Sequence, residues 1–346
     1  MPANAVSDVN AAKAKRYLIV GPSWVGDMVM AQALFKTIRN REPEALIDVI
    51  APAWSVPMIE RMPEVRKGIA LPVGHGEFAL GVRRKIGKNL RDEHYDHAIT
   101  LPRSFKSALV PFFADVPERT GYRGEMRFGL LNDIRALDKS VLDQTVKRFV
   151  ALGLSPGEMP EVIPQPELSI DSANQQKLIA EHSLDIALPV VGMMPGASYG
   201  PAKCWPIEYF AELAERLTAA GNAVWVLGSE GDRAAGDEIA QSNPGIRNLA
   251  GVTRLEDTVD LLGLCATAVT NDSGLMHVAA AAGIHVIAAY GSSSPGYTPA
   301  LTDKKTIHHL GLDCSPCFKR ECPLGHLNCL RDITVDDVHA SVLAVL

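Results

Sequence analysis

Short runs of apolar residues recur along the chain, and a group of turn residues follows most of them. Continuous runs of this length are typical of strands that are buried on both faces of a parallel sheet. The predicted strands are residues 17–20, 46–51, 68–71, 97–101, 190–194, 224–227, 247–249, 266–270 and 285–289. Apolar residues at helical spacing predict helices between them, one ending near residue 40 and others over 58–62, 82–90, 172–182, 206–220, 275–282 and 335–346. This alternation predicts an α/β protein with parallel sheets.

The length of 346 residues fits two domains of ordinary size. A proline-rich stretch between Pro156 and Pro166 marks the change from one to the other. We therefore expect a flexible N-terminus over residues 1–14, a first parallel-sheet domain over 15–160, a linker over 161–188, and a second parallel-sheet domain over 189–346.

The composition, with 47% hydrophobic and 21% charged residues, is typical of a globular enzyme and argues against disorder. No apolar run reaches the roughly 20 residues that a membrane-spanning helix needs. The run before Gly21 is too short for the core of a signal peptide. We expect a cytoplasmic protein whose contact with a membrane, if it has one, is peripheral.

Charge is unevenly distributed in this chain, whose net charge is −6. Residues 83–127 contain ten Lys or Arg against six Asp or Glu, so this segment carries +4 and the remainder −10. A basic region in an acidic protein suggests an anionic partner for one domain, and a plain solvated surface is the alternative. Some of its cations are predicted on a helix and others on loops that follow strands: Arg83, Arg84, Lys88 and Arg91 on the helix; Arg103, Lys106, Arg123 and Arg127 on the loops.

The stretch Asn271-Asp-Ser-Gly274 lies between a predicted strand and a predicted helix. Such a turn aims several backbone N–H groups and the positive end of the helix dipole at one point, where an anion can bind. Four strand ends of the second domain carry similar turns, at Gly196, Gly228, Ser273 and Gly291. Together they predict a crevice for a phosphate or nucleotide, whereas any one alone could be an ordinary capped helix.

Gly21-Pro-Ser-Trp-Val-Gly-Asp27 follows the first strand, and Asp27 is predicted in the first turn of the next helix. The dipole there is expected to keep the carboxylate ionised, which would make it a weaker base. The motif is neither G-x-G-x-x-G nor a P-loop, and G-x-G-x-x-G is missing after every predicted strand. A nicotinamide-dependent dehydrogenase is therefore disfavoured.

Four cysteines lie within the segment 314–329: Cys314, Cys317, Cys322 and Cys329. The C-x-x-C opening suggests a structural zinc site, to which His308, His309 or His326 could contribute, but the spacing of the second pair is unusual. Plain reduced thiols and disulfide or redox chemistry are the two alternatives.

Three motifs taken together resemble one family. They are Gly21–Asp27, Gly200-Pro-Ala-Lys-Cys-Trp-Pro206 and Asn271-Asp-Ser-Gly-Leu-Met-His277, and the likeness extends to residues 104–113 and 120–127. The chain resembles the ADP-heptose-dependent glycosyltransferases of lipopolysaccharide synthesis (glycosyltransferase family 9). The resemblance implies a GT-B architecture, in which two Rossmann-like domains face each other across a cleft, the first binding the acceptor and the second the donor.

The resemblance also implies roles for individual residues. Asp27 would be the general base, and Lys203 would lie near the diphosphate of the donor. Donor binding would involve Gly196, Lys203, Glu230, Asp272, Ser273, Gly274, Leu275 and His277. Acceptor binding would involve Ser23, Trp24, Arg103, Ser104, Lys106, Arg123 and Arg127, whose cations fit the Kdo carboxylates and the lipid A phosphates.

The reaction implied is an inverting transfer of L-glycero-D-manno-heptose from ADP-heptose to heptosyl-Kdo2-lipid A, at the cytoplasmic face of the inner membrane. No cofactor is expected, because a lysine and backbone amides can stabilise the departing diphosphate. The alternatives are the preceding heptose transfer in the same pathway, another GT-B nucleotide-sugar transferase, and a non-catalytic protein that binds nucleotide sugars. No nucleic acid is expected as a partner.

Overall fold

The structure, a computed structural model, describes residues 14–74, 76–241 and 243–346. The predicted flexible N-terminus lies outside these residues except for Ala14. The described chain folds around two six-stranded sheets, and every strand pair in both sheets is parallel. The predicted α/β class with parallel sheets is confirmed.

The first sheet has the strand order β3-β2-β1-β4-β5-β6. Its strands are β1 (Arg16–Val20), β2 (Leu46–Pro52), β3 (Val65–Leu71), β4 (His97–Thr100), β5 (Glu118–Tyr122) and β6 (Asp133–Arg135). The helices of this half are α1 (Val25–Arg41), α2 (Val56–Ile59), α3 (Leu80–Asn89), α4 (Leu109–Phe113) and α5 (Thr145–Leu152).

The second sheet has the order β12-β11-β10-β7-β8-β9. Its strands are β7 (Val190–Met194), β8 (Ala223–Val226), β9 (Ile246–Asn248), β10 (Thr267–Asn271), β11 (His285–Ala289) and β12 (Lys305–His308). The remaining helices are α6 (Ser172–His182), α7 (Ile207–Ala219), α8 (Arg233–Ala240), α9 (Leu255–Leu262), α10 (Gly274–Ala281), α11 (Asn328–Arg331) and α12 (Val335–Leu343).

The two sheets have the same strand order when each is numbered within its own half, 3-2-1-4-5-6. In this order the chain reverses its direction of travel between the first and fourth strands, which are β1 and β4 in one sheet and β7 and β10 in the other. Ligands of such sheets bind outside the carboxyl ends of the strands at this switch point. The topology therefore predicts that ligands bind near the segments that follow β1, β4, β7 and β10.

The halves meet where the N-terminal ends of α1 and α10 pack together. Two glycines permit the close approach: a Cβ on Gly274 would lie 2.9 Å from Cβ of Val25, and one on Gly26 would lie 2.7 Å from Cδ2 of His277. A bidentate ion pair between Arg61 and the buried Asp260 adds a second connection, with N–O distances of 3.0 and 2.7 Å. Because α1 and α10 meet at their N-terminal ends, the positive ends of both helix dipoles lie in the same region between the halves.

The segment 161–188, predicted as a linker, contains α6, as the sequence predicted. This helix packs on α9 of the second half, where Asn174 donates to Asp257 at 2.9 Å and to Asp260 at 2.8 Å. Asp171 caps its N-terminus by accepting the N–H of Ala173 at 2.9 Å.

Central strands match the prediction more closely than edge strands. β7 and β11 have the predicted bounds, and β1 and β2 differ by one residue at one end. β5 was predicted as part of a loop, and β6 and β12 were not predicted. These strands carry charged residues and lie at or next to a sheet edge, so they lack the continuous apolar run of a central strand.

Candidate active site

A cavity of about 510 Å³ lies between the two halves, at the carboxyl ends of strands from both sheets. Its volume is in the range of pockets that bind small molecules or cofactors. Lining residues from the first half are Trp24, Val25, Gly26, Asp27, Met30 and Trp54. Those from the second half include Gly196, Ala197, Ser198, Tyr199, Lys203, Gly228, Ser229, Asp232, Asp272, Ser273, Gly274, Leu275, His277 and Thr298.

Asp27 lies in the first turn of α1 and lines this cavity. Burial raises the pKa of its carboxyl to about 6, and the nearby charge of Lys203 opposes that rise. The prediction that the helix dipole would make this carboxylate a weaker base is therefore wrong, although the group is still ionised at neutral pH. Desolvation disfavours the ionised form more strongly than the nearby positive charge favours it. A carboxylate with a pKa near 6 is ionised at neutral pH and is a better proton acceptor than an exposed aspartate.

Lys203 approaches the cavity from the segment after β7. Its Nζ donates to Oδ2 of Asp272 at 2.6 Å and lies 5.3 Å from the centre of the Tyr199 ring. Asp272 is buried and follows β10, so this pair spans the switch point of the second sheet. The lysine is thereby held in place, with its charge close enough to Asp27 to affect its pKa.

The turn before α10 is organised by Asn271. Its Oδ1 accepts the backbone N–H of Trp205 at 2.9 Å, and its Nδ2 donates to the carbonyl of Pro195 at 2.6 Å. One amide side chain therefore fixes the ends of β7 and β10 relative to each other. Ser273 follows as the N-cap of α10, and its buried Oγ has no hydrogen-bond partner within the described residues. Hydroxyl, helix terminus and Lys203 together form a site suited to an anion.

His277 is buried in α10 beside Gly26. Desolvation lowers the pKa of its imidazole to about 4, so the ring is neutral at physiological pH. It therefore adds no positive charge to the anion site at neutral pH.

Asp232 was missed by the sequence reasoning. Its Oδ2 accepts from both the backbone N–H and the Oγ of Ser229, at 2.8 and 2.7 Å. Side chains at Gly196 or Gly228 would overlap this carboxylate, which explains glycine at both positions. Glu230, which was predicted to bind the donor, is absent from the lining, and its side chain packs over Gly251 near Arg233. Gly291, the fourth predicted turn, is absent from the lining of the cavity and packs against Leu330.

Trp24 and Trp54 form the exposed part of the cavity wall in the first half, with 51% and 47% of their surfaces accessible. Trp24 was predicted as an acceptor residue and Trp54 was not. Trp54 follows β2, whose carboxyl end lies beside that of β1 in the sheet. An exposed indole next to an apolar run carried no separate signal in the sequence.

The other predicted acceptor residues lie outside the lining of this cavity. Arg103, Ser104 and Lys106 follow β4, and Arg123 follows β5, so these four are at the same edge of the first sheet as Asp27. Arg103 and Arg123 are exposed, whereas Ser104 and Lys106 are half-buried. Ser23 is exposed in the turn before α1.

Arg127 differs from the other predicted acceptor cations because it is buried. Its guanidinium donates to the carbonyl oxygens of Pro102, at 2.7 Å, and of Tyr122. Arg83 is likewise buried, and its Nε donates to the carbonyl of Phe78 at 2.8 Å. The predictions that Arg127 faces a ligand and that Arg83 faces a membrane are corrected: both side chains satisfy backbone carbonyls that burial would otherwise leave unpaired.

The cysteine segment 314–329 packs behind Gly291. Ser315 Oγ donates to the carbonyl of Gly291 at 2.6 Å, and the six cysteines of the chain are free thiols. Backbone N–H groups, that of Leu327 foremost, lower the pKa of the Cys322 thiol. Among the described residues, no group of three or more His, Cys, Asp or Glu is arranged to hold a metal ion. Of the histidines considered as further ligands, His308 bonds Ser341 Oγ at 3.0 Å and His326 Nδ1 accepts from Asn328 at 3.0 Å.

None of the helices among the described residues combines the length and the apolar character that crossing a bilayer requires.

Comparison with known proteins identifies the family. Residues 83–328 match glycosyltransferase family 9 (heptosyltransferase). Lipopolysaccharide heptosyltransferase 2 of Salmonella typhimurium is 46% identical over 330 residues, covering 92% of this chain and 95% of that protein. The corresponding protein of Escherichia coli K12 is 45% identical over 342 residues, covering 96% and 98%. The structure of E. coli ADP-heptose lps heptosyltransferase II superposes with a TM-score of 0.85 at 43% identity, covering 95% of this chain and 98% of that one. The fold is therefore GT-B, and the chain belongs to glycosyltransferase family 9, the heptosyltransferases.

Proposed function

We propose that this protein is the heptosyltransferase II of its pathway, transferring L-glycero-D-manno-heptose from ADP-heptose to heptosyl-Kdo2-lipid A with inversion at the anomeric carbon. The observation that carries the proposal is the cavity itself, which has a carboxylate of pKa about 6 on one side and a lysine beside a helix N-terminus on the other. Relatives named heptosyltransferase 2 at 45–46% identity over more than nine-tenths of the chain support the choice of substrates.

The donor belongs on the second half of the cavity. Lys203 and the N–H groups at the start of α10 offer positive charge and hydrogen-bond donors for the diphosphate of ADP-heptose. The cation is already held by Asp272 at 2.6 Å, so little side-chain freedom is lost when the diphosphate binds. Gly196, Gly228, Leu275 and His277 shape the wall of the same half.

The acceptor approaches from the first half, where Asp27 acts as the general base. A hydroxyl of the acceptor heptose attacks the anomeric carbon of the donor while its proton passes to the Asp27 carboxylate. The bond between the anomeric carbon and the diphosphate oxygen breaks, and its electron pair leaves with ADP. Because base and leaving group are held by opposite halves of the cleft, attack and departure occur on opposite faces of the sugar, which inverts the anomeric centre.

Electrostatic stabilisation replaces a general acid in this scheme. Charge that develops on the departing diphosphate is met by Lys203 and by the amides of Ser273 and Gly274. We propose that no cofactor is required, and retention of full activity in a chelator would support this.

The acceptor's sugar acids and phosphates are assigned to the cations after β4 and β5. Arg103, Lys106 and Arg123 lie at the same sheet edge as Asp27 and can meet carboxylates or phosphates without entering the donor cavity. Ser23, Ser104 and Trp24 line the approach, and Trp54 adds a second aromatic face for a sugar ring. Arg127 supports this edge from behind and is not assigned to the ligand.

The acceptor is a glycolipid of the inner membrane, so we also propose peripheral binding to its cytoplasmic face. Of the four helix cations predicted for this role, Arg84 and Lys88 are exposed on α3 and retain it. Arg83 is buried, and Arg91 pairs with Asp115 at 2.7 Å. Each exposed cation near an anionic surface contributes about 1 kcal/mol.

A structural zinc at Cys314, Cys317, Cys322 and Cys329 stays a separate prediction outside the reaction scheme. Burial raises the pKa of the Cys329 thiol, and the nearby Cys314, Cys322 and Cys317 raise it further, so the four thiols lie near one another. This proximity supports the prediction, although the four side chains are not arranged as a metal site in this structure. Metal analysis of the purified protein tests it: one equivalent of zinc that is lost when Cys322 is replaced by serine is the expected result, and metal-free wild type would remove the prediction.

The proposed reaction is tested by incubating the protein with ADP-heptose and heptosyl-Kdo2-lipid A and following ADP release. The expected result is one ADP per heptose transferred, with no turnover on Kdo2-lipid A that lacks the first heptose. Turnover on that shorter acceptor instead would identify the protein as the enzyme of the preceding step. Tight ADP binding without transfer to either acceptor would leave only nucleotide-sugar binding.

A further inference from the structure

Four large apolar side chains of the first half are strongly exposed. Phe78 is 49% accessible, Leu80 45%, Met126 79% and Phe128 69%. They come from two segments that are far apart in sequence, the turn leading into α3 and the loop after β5. We call this set the apolar tip.

The two segments are joined through the loop after β4. The rings of Phe78 and Phe105 are stacked, with centroids 6.3 Å apart and planes 16° from parallel. The backbone N–H of Phe105 donates to Oε2 of Glu125 at 2.6 Å, directly before Met126. The two segments that carry the apolar tip are therefore linked to each other through Phe105.

Two buried arginines hold the apolar tip in its exposed arrangement. Arg127 lies between Met126 and Phe128, and its inward-facing guanidinium binds the carbonyls of Pro102 and Tyr122. Its two sequence neighbours are left at the surface. Arg83 does the same for the other segment by binding the carbonyl of Phe78. Burying two guanidinium groups to support exposed apolar residues indicates that the exposure has a use.

Exposed cations occur on the helix and loops that neighbour the apolar tip. Leu80, Arg84 and Lys88 follow each other at intervals of four along α3, so they share one exposed face of the helix. Arg103 and Arg123 are exposed on the two neighbouring loops. Apolar side chains bordered by exposed cations complement a surface with negative charge outside and hydrocarbon beneath, which is an anionic bilayer.

The apolar tip lies at the same edge of the first sheet as the acceptor side of the cleft. Its segments follow β3 and β5, and the loop that joins them follows β4. All strands of this sheet are parallel, so these segments lie at the same edge as Asp27. A bilayer in contact with this edge would present its head groups to the acceptor side of the cavity.

We infer that the apolar tip inserts into the outer part of an anionic bilayer and so places the acceptor side of the cleft against the membrane. The inference deepens the membrane contact of the proposed function and, in part, rests on it. It does not require the transfer reaction, because any anionic phospholipid surface offers the same chemistry.

Vesicles that contain no lipopolysaccharide provide the test. Full-length protein is floated with vesicles of phosphatidylglycerol and phosphatidylcholine in equal amounts, comparing wild type with a Met126→Ser, Phe128→Ser double variant. Because the double variant loses two large apolar side chains that would be buried in the bilayer, it should bind the vesicles at least about tenfold more weakly than wild type. The matched control replaces Val162 and Leu324, which are 75% and 62% accessible elsewhere on the molecule, by serine and should bind as wild type does.

A second measurement locates the inserted residue. In a Phe128→Trp variant, the tryptophan fluorescence of the new residue is obtained by subtracting the wild-type signal. This fluorescence should be quenched by lipids with brominated acyl chains. Vesicle binding that is unchanged in the double variant, or an absence of such quenching, would overturn the inference. Two further results would also overturn it: a wild-type dimer that the double variant dissociates, or an equal loss of turnover on detergent-dispersed acceptor. Vesicle binding without any heptose transfer would leave it standing and reject the proposed function instead.

Discussion

The switch points of the two sheets have the same topology but opposite character. In the second sheet, β7 and β10 end in a closed arrangement in which Lys203 pairs with a buried Asp272 and Asn271 ties the two strand ends together. In the first sheet, β1 and β4 end in an open edge with exposed cations and two accessible tryptophans. On that side, burial raises the pKa of Asp27 to about 6. One strand order has thus produced a closed arrangement at one switch point and an open edge at the other, which the proposed function assigns to the donor and to the acceptor.

In the proposed reaction the first half supplies the general base and the second half stabilises the departing diphosphate. The Asp27→Asn variant should affect the first role and spare the second. Loss of the general base should lower kcat by about 10²- to 10⁴-fold. The affinity for ADP should remain near that of wild type, because the asparagine is isosteric and the donor site lies on the other half. Stopped-flow rates with titration calorimetry measure both; a near-normal kcat would remove Asp27 from the mechanism.

Lys203→Ala tests the opposite side. Removing a charge-assisted hydrogen bond to the diphosphate should weaken ADP binding by about 1.5–3 kcal/mol, or roughly 10- to 150-fold. Lys203 also lowers the pKa of Asp27 across the cleft, so the acid limb of the rate profile should move to higher pH in this variant. Lys304→Ala is the matched control, since that lysine bonds the Gly283 carbonyl away from the cavity. An unchanged affinity for ADP would show that Lys203 serves another purpose.

Two arginines only four residues apart should behave differently. Arg127→Gln removes buried hydrogen bonds to Pro102 and Tyr122 and should lower the free energy of unfolding by on the order of 2–4 kcal/mol. Arg123→Gln should leave thermal stability unchanged and raise the acceptor KM several-fold in detergent. Thermal melts and steady-state kinetics on both variants measure these effects. Equal losses of stability would contradict the assignment of a structural role to Arg127 and of acceptor binding to Arg123.

The smallest expected effect concerns stability against pH. The folded pKa of Asp27, about 6, lies above the value of roughly 4 in the unfolded chain. Its contribution to stability is therefore fully present below pH 4 and is lost as the pH rises to 6. Asp27→Asn should then be more stable than wild type at pH 8, by on the order of 1–3 kcal/mol, with the difference vanishing near pH 4. Denaturant melts at both pH values measure this, and an Asn variant that is no more stable at pH 8 would argue against the raised pKa.

The same contrast explains what the sequence could predict. Strands such as β7 and helices such as α6 were placed to the residue, because buried apolar runs and capped ends are local signals. Three of the four Gly/Ser turns predicted to form the crevice, at Gly196, Gly228 and Ser273, do line the cavity. This prediction succeeded because parallel strands place their carboxyl ends at one edge of the sheet whatever side chains they carry.

The errors involve burial, which is a property of the whole fold. The basic segment 83–127 gives no sign in sequence that Arg83 and Arg127 bind carbonyl oxygens inside the protein while Arg103 and Arg123 remain at the surface. Asp27 was expected to be a weaker base because the dipole of its own helix can be inferred from the sequence, whereas its burial in the folded protein cannot. Trp54 lines the cavity because β2 lies beside β1 in the sheet, and Asp232 does so because its carboxylate packs against Gly196. Neither arrangement can be inferred from the local sequence.

The most direct test of the central claim is the pH dependence of kcat/KM with ADP-heptose and heptosyl-Kdo2-lipid A, measured on wild type and Asp27→Asn. In wild type it should rise about tenfold per pH unit below the pKa of about 6 and level off above it. In Asp27→Asn the small residual rate should lack this limb. A limb that persists unchanged in the variant would mean that another group carries the proton, and it would contradict the assignment of the base to the first half of the cleft.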